Sequence, residues 1–476
     1  MRMEKNDENK PMSVAATPKQ AGEARDRWWW VERSVWTERM LTRFTEGEPA
    51  NRVWFTLVDK TYAPANLASA FEKVMANDGS AGVDEQTVAH FERQGQAELA
   101  RLNEQLRAGT YRPQPLRRAW IPKPGSQEKR PLGIPAVRDR TVQGALRHVL
   151  EPIFETEFAE SSYGFRPGRG AKDALRRVDH LLKDGHEWVV DADLKSYFDT
   201  IPHERLMARV KERVADGRVL ALVESFLQAG VLEESKGWQR TESGTPQGGV
   251  ISPLLANLYL DPFDHQMEGA GWELVRYADD FVILCRSQAQ AQAALGQVQA
   301  WVKEAGLTLH PEKTRIVNAN APGGFDFLGY HFERGMRWPR AKSLKKLKER
   351  IRAKTSRLEG RSLKEIVADV NRTLRGWYGY FQHSKANTFG YVDGYVRRRL
   401  RSLLQWRRDG RGKGIGAAHQ RWPNQWFAHR GLLSLAAEHE WTRTIVFRCT
   451  EITEVRGEFS SRSVMTPLLR SKREVA

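Results

Sequence analysis

Three carboxylates come first, because each would be costly in an ordinary core. Asp193 closes an apolar run at 187–194 (EWVVDADL), and Asp279 with Asp280 separates the apolar runs 273–277 and 281–285. Carboxylates crowded at strand ends repel one another unless divalent cations neutralise them. Two such cations can activate a 3′ hydroxyl and stabilise a departing pyrophosphate, which is the chemistry of nucleotide addition. The tetrad Tyr277-Ala278-Asp279-Asp280 taken alone fits a plain Asp-rich hairpin turn equally well.

The elements that must carry these residues can be read from spacing. Residues 187–194 alternate as a strand and enter a helical pattern at 203–214 through Phe198, Asp199, Ile201 and Pro202. Two short strands flanking Ala278-Asp279-Asp280 make a hairpin. Helices are expected at 252–267 and 288–305, the latter stopped by Gly306. Six prolines between Pro113 and Pro135 favour extended chain, with a hairpin around Pro124-Gly125-Ser126. Residues 28–107 repeat apolar positions at helical spacing, broken by a turn at 77–82. After Gly335 come long helices: Leu344, Leu347, Ile351 and Leu358 among basic residues, then Ser362 and Glu365 as a capping box before Ile366, Val370 and Leu374, then Val392, Val396, Leu400 and Leu403. Residues 1–26 are polar and read as a disordered start, and 411–476 give weak signals.

Composition narrows the class. The chain has 476 residues and a formal net charge of +17, with 40% hydrophobic and 28% charged residues, so two or three domains with their own cores are expected. Residues 1–340 are nearly neutral, whereas 341–476 carry 30 Lys and Arg against 12 Asp and Glu. Such asymmetry marks either a nucleic-acid surface or a solvated lysine-rich helix face. Two cysteines, Cys285 and Cys449, cannot build a disulfide framework or a paired-thiolate zinc site. No apolar stretch reaches the roughly 18 residues that span a bilayer, and no secretory leader is visible, so a reducing, cytoplasmic setting without a membrane is expected. The absence of a GxxxxGK[ST] loop argues against a motor ATPase. His203 and His310 lack ligand-spaced partners and read as packing or capping residues.

The same chain carries, in order, Ser162-Tyr163-Gly164-Phe165-Arg166-Pro167-Gly168, Asp193-Leu194-Lys195-Ser196-Tyr197-Phe198-Asp199, Gly244-Thr245-Pro246-Gln247-Gly248-Gly249, Tyr277-Ala278-Asp279-Asp280, Leu309-His310-Pro311-Glu312-Lys313-Thr314 and Phe327-Leu328-Gly329-Tyr330. This series resembles the reverse transcriptases encoded by group II introns, over roughly residues 60–410. The block 372–381 (RTLRGWYGYF) resembles the maturase, thumb or X, domain of that family, which sets it apart from retroviral enzymes.

The resemblance implies an α+β right-hand polymerase: fingers and palm with an antiparallel palm sheet, followed by an all-α thumb. Its expected bounds are a helical extension at 27–112, fingers and palm at 113–335, a thumb at 336–410 and a short basic tail at 411–476. Asp193, Asp279 and Asp280 match the catalytic carboxylates. With the Leu194 carbonyl they match the ligands of two Mg²⁺ ions, Mn²⁺ being the alternative. Phe198 matches the aromatic steric gate that rejects a ribose 2′ hydroxyl, although a core aromatic would look the same and Tyr197 competes for that face. Pro246, Gln247 and Gly248 match the turn that meets the incoming deoxynucleoside triphosphate. Lys123 and Arg130 match the cations that grip its phosphates, with template backbone as the other candidate partner. Lys313 matches a residue completing that pocket, or is a solvated turn lysine. Residues 327–330 resemble the primer-positioning strand. Arg166, Lys345, Lys348, Arg352, Arg372, Arg375, Arg397 and Arg398 are candidate phosphate contacts.

The implied function is an RNA-directed DNA polymerase that also binds its intron RNA as a maturase promoting splicing. It would support mobility by target-primed reverse transcription, with an RNA template, a DNA primer and target DNA as partners. Two alternatives stand beside it: a host-adapted reverse transcriptase in repair or defence, and an RNA-binding splicing cofactor that needs no polymerase activity. Many family members carry a zinc-associated endonuclease. Here Cys449 is the tail's single cysteine and His419, His429 and His439 are not at ligand spacing, so that domain is expected to be absent. Mobility would then use another primer, such as a nascent strand at a replication fork.

Overall fold

The computed structural model describes residues 27–45, 52–122, 129–358, 360–410 and 415–442. The chain divides into two compact units, Met1–Gly335 and Met336–Ala476. Lys123, the tip of the proline-rich hairpin, Cys449 and the polar start lie outside the described residues.

Among its described residues the first unit holds ten strands. β1 (Leu116–Pro122), β2 (Lys129–Ile134), β4 (Val231–Glu233) and β5 (Gly237–Gln239) form one sheet in the order β2-β1-β4-β5. β3 (Trp188–Asp193), β6 (Glu273–Tyr277), β7 (Asp280–Cys285) and β8 (Arg315–Asn318) form the antiparallel palm sheet, in the order β6-β7-β3-β8. β9 (Phe325–Phe327) and β10 (Tyr330–Glu333) pair as a hairpin. The expected single strand at 327–330 is therefore two, because Leu328 and Gly329 both take positive φ (46° and 86°) and turn the chain back on itself.

The palm sheet buries its middle. Val189, Val190, Ala192, Val275, Val282 and Ile283 are fully buried, and the helices Ser252–Gly269 and Gln288–Glu304 pack on the same core. At roughly 1.5–3 kcal/mol for each buried aliphatic side chain, this core is what can hold charged residues fixed at the sheet's end. The helix Val137–Glu155 is buried over most of its length and receives the N-terminal aromatics: Trp36 Nε1 donates to the His148 carbonyl at 3.0 Å. The helices Glu38–Thr45, Val58–Tyr62, Pro64–Asn77, Val88–Arg93 and Gly95–Ala108 precede the fingers sheet.

The second unit opens with the short strand Met336–Pro339 and continues as helices Ala341–Lys354, Leu363–Phe381 and Asn387–Asp409. Ser362 and Glu365 form the reciprocal capping box expected from their spacing. Leu347, Ile351, Val370, Leu374, Phe389 and Leu400 make the core. Residues 415–442, nearly silent in sequence, close that core with Trp422, Phe427, Leu432 and Leu435. Their backbone is tied down: the buried Asp393 accepts from the Leu435 amide (2.9 Å) and Ser434 Oγ (2.7 Å), and Asn371 Nδ2 donates to the Gly431 carbonyl at 2.7 Å.

Candidate active site

Register places the carboxylates. In the antiparallel pair of β3 with β7, Asp193 stands directly opposite Asp280. Asp279 lies in the two-residue loop between Tyr277 and Asp280, which pair with each other across β6 and β7. All three acids thus share one end of the palm sheet. Burial raises the pKa of Asp279, and the nearby Asp193 charge raises it further; Arg130 and Lys313 oppose this. These two cations, on β2 and on the turn before β8, therefore lie within electrostatic reach of the acidic cluster. Lys313 goes further and pairs with Asp193 Oδ2 at 2.5 Å.

Leu194 forms an isolated bridge with Leu309. That pairing uses the Asp193 carbonyl (from the His310 amide, 2.8 Å) and the Lys195 amide (to the Thr308 carbonyl, 2.8 Å), not the Leu194 carbonyl. The donor set is hard oxygen, which suits Mg²⁺ or Mn²⁺. Among the described residues no three His, Cys, Asp or Glu side chains converge into a cage of their own. Asp193, Asp279 and Asp280, with the Leu194 carbonyl, are the residues expected from the sequence to hold such cations.

Phe198 and the Pro246-Gln247-Gly248 loop, expected at the nucleotide site, are tied to each other and to β2. The Phe198 carbonyl accepts from the Thr245 amide and the Ile201 carbonyl from the Gly244 amide, each at 2.7 Å, so the Phe198 turn and the segment leading into Pro246-Gln247-Gly248 are laced together. On its other side the loop is tied to the fingers: the Gln247 carbonyl accepts from the Gly133 amide of β2 at 2.8 Å. Gly248 sits at φ +117°, where a Cβ would lie 2.3 Å from the Gly133 carbonyl oxygen; only glycine lets the two segments approach. Phe198 is half-buried, whereas Tyr197 is fully inside and donates its hydroxyl to the Ala256 carbonyl, so of the two rings Phe198 is the more accessible.

Sequence reading missed the device that holds the loop carrying Asp279. Arg276 on β6 is wholly buried and ion-paired with the equally buried Asp264. Its Nε donates to Asp264 Oδ1 (2.6 Å), Nη2 to Ser162 Oγ (2.7 Å), and Nη1 to the carbonyl of Ala278 (2.9 Å) and to Asn257 Oδ1 (3.1 Å). Ala278 is at φ +60°, a costly conformation for a residue with a Cβ. The guanidinium clamps that strained carbonyl next to Asp279. An arginine in an apolar strand and an aspartate in an apolar helix, of opposite sign, were the available signal.

Arg166, expected as a nucleic-acid contact, instead has its guanidinium turned to protein partners. It is buried, with Nε on Glu155 at 3.0 Å and Nη1 on the Ala159 and Ser162 carbonyls at 2.5 and 3.0 Å. Its donors shape the loop it sits in. His203 packs as expected, its Nε2 2.7 Å from the Gly244 carbonyl.

In the second unit the basic residues gather on helix faces. Lys345, Lys348 and Arg352 follow one another along Ala341–Lys354, and Lys348 meets the rings of Tyr391 (4.6 Å) and Tyr395 (5.6 Å). Arg398 lies over Tyr395, and Arg399 is lowered in pKa by burial and by the charges of Arg352, Arg357 and Arg398 around it. Arg372 and Arg375 are exposed on Leu363–Phe381, and Arg397 lies 3.9 Å from Asp393.

Comparison with known proteins identifies two matching family segments. Residues 121–332 match the reverse transcriptase (RNA-dependent DNA polymerase) model, and 344–422 match the maturase-specific domain of group II introns. The chain is 34% identical to protein YkfC of Escherichia coli, over 62% of this chain and 87% of that one. It is 39% identical to the group II intron-encoded protein LtrA of Lactococcus lactis subsp. cremoris, over 48% of this chain but 38% of LtrA, so it spans well under half of that relative. A chain of the solved Cas6-RT-Cas1–Cas2 complex is 29% identical, with a TM-score of 0.34, covering 52% of this chain and 41% of that one. The chain belongs to the group II intron reverse transcriptase/maturase family. No helix among the described residues is long and apolar enough to cross a membrane.

Proposed function

We propose that the protein copies RNA into DNA at the end of the palm sheet, and that its basic helical unit binds the intron RNA to promote splicing. The observation that carries the first part is the register of Asp193 against Asp280 with Asp279 in the adjoining loop. In the reaction the primer 3′ oxygen loses its proton and bonds to the α-phosphorus of a deoxynucleoside triphosphate, while the bond to the bridging oxygen breaks and pyrophosphate leaves. Two divalent cations bound at the carboxylates would supply activation of the hydroxyl and neutralisation of the leaving group. Asp193, Asp279 and Asp280 hold charge in place for them.

Arg130 and Lys313 supply positive charge toward the triphosphate. Lys313 must exchange its contact with Asp193 for one with substrate as the site loads. Phe198 lies under the sugar, and the Pro246-Gln247-Gly248 backbone shapes the slot beside it. Lys123 is assigned to the same phosphate grip by its place in the sequence. Density of cation on Lys345, Lys348, Arg352, Arg372, Arg375, Arg397 and Arg398 supports intron RNA and template-primer duplex as the partners of the second unit. Mobility by target-primed reverse transcription follows if target DNA provides the primer.

The test is primer extension on an RNA template with deoxynucleotides and Mg²⁺, run beside binding and splicing of the cognate intron RNA. Synthesis lost in Asp279→Ala with RNA binding intact supports the reading. A folded, RNA-binding wild type that promotes splicing but synthesises nothing would favour a splicing cofactor alone.

A further inference from the structure

Phe165 stands out in the first unit for its backbone and its position. It takes φ +59°, the left-handed region that a bulky side chain rarely occupies, and the residue is 46% exposed. The chain on both sides leaves it no choice. Asn257 Nδ2 holds the Gly164 carbonyl at 2.7 Å, and a Cβ on Gly164 would sit 2.4 Å from the Ala278 amide nitrogen, so this loop lies directly against the loop that carries Asp279. On the other side the Arg166 guanidinium is fixed inside by Glu155. Strain maintained by such over-determined surroundings points from an observed outlier to a functional constraint.

The ring that this conformation presents meets two residues of the site. It stands edge-on to Phe198, with centroids 6.5 Å apart and planes at 85°, and tilted against Tyr277 at 6.3 Å. Both separations are in the range of favourable aromatic pairs. Phe198 is itself edge-on to the buried Tyr197 at 5.5 Å, so its ring meets two others, the anchored Tyr197 and Phe165.

We propose that Phe165 is a specificity-determining positioning residue: it backs the Phe198 ring so that the ring cannot swing aside to admit a ribose 2′ hydroxyl. The inference rests on the reading of Phe198 as the sugar gate. A gate that can yield discriminates poorly, because an apolar wall rejects one added hydroxyl only about 100-fold even when firm.

The test measures kcat/KM for a deoxynucleotide and its ribonucleotide counterpart in wild type, Phe165→Gly, Phe165→Leu and Phe198→Ala, with the melting temperature of each. Glycine suits φ +59°, so Phe165→Gly should keep or raise the melting temperature while lowering discrimination about tenfold. Phe165→Leu, which restores bulk, should recover most of the discrimination, and Phe198→Ala should lose roughly 100-fold. Wild-type discrimination in Phe165→Gly alongside its loss in Phe198→Ala overturns the backing role and leaves the gate standing. Discrimination retained in Phe198→Ala overturns the gate and the backing role together.

Discussion

The acidic end of the palm sheet and the basic helices of the second unit solve opposite electrostatic problems. The palm gathers like charges where burial makes them costly, and it fixes them by backbone register, with a wholly buried arginine clamping the loop that carries Asp279. The helices spread like charges over exposed faces with loose ties, as Arg372 shows: its side chain is 79% exposed and 3.3 Å from Asp369. Catalysis needs a few atoms in set positions, whereas phosphate binding needs charge density and tolerates movement. A single substitution should therefore be severe in the first region and mild in the second.

The largest effect is expected at the carboxylates. Asp279→Ala, or removal of divalent metal with a chelator, should lower synthesis at least about 10³-fold, equivalent to several kcal/mol of transition-state stabilisation, and leave RNA affinity nearly unchanged. Single-nucleotide incorporation and filter binding read the two arms.

Next comes the clamp. Arg276→Met strands the buried Asp264 charge and should cost roughly 3–5 kcal/mol in urea unfolding. The paired variant Asp264→Leu with Arg276→Met removes both charges and should regain most of that stability, because a buried ion pair is often replaceable by apolar packing. Incorporation should stay at least about tenfold down, since the Ala278 carbonyl has lost its donor. Full recovery of incorporation would assign the arginine to folding alone.

A third prediction concerns the interior of the first unit. His148 is buried with Nδ1 2.8 Å from Asn66 Oδ1 and Nε2 2.6 Å from Lys73 Nζ, and burial first, then the Lys73 charge, lowers its pKa to about 4. The unfolded imidazole titrates near 6.5, so this contribution to stability is complete above that pH and is lost as pH falls toward 4. The loss should reach about 3 kcal/mol. Urea unfolding at pH 7 and pH 4.5 should differ less for His148→Gln than for wild type.

The smallest effect is expected on the helices. Arg372→Ala or Arg375→Ala should weaken RNA binding only a few-fold and reduce the slope of log affinity against log salt by roughly 0.7–1 each. A loss comparable to that of Asp279→Ala in synthesis would break the contrast between the two regions.

Much of this contrast was legible in the residues. Strands 188–193 and 273–277, the hairpin turn at Ala278-Asp279 and the Ser362–Glu365 cap follow from local alternation and spacing, which the backbone obeys directly. What escaped depends on contacts far apart in the chain. Arg276 meets Asp264 and Ser162 only after the sheet and its helix have packed, and Phe165 reaches Phe198 only through a loop forced into positive φ. Arg166 carries a charge that suggests solvent, yet Glu155 and two carbonyls draw it inside. Residues 415–442 lack a strong period because they cover a core whose apolar stripe lies on other helices.

The most direct test of the central claim is Asp280→Asn assayed in one preparation for RNA affinity and for single-nucleotide incorporation on an RNA template. The substitution keeps the side chain's shape and its place opposite Asp193 while removing the charge. The account predicts wild-type RNA binding with incorporation reduced at least about 10³-fold. Incorporation at the wild-type rate would contradict it.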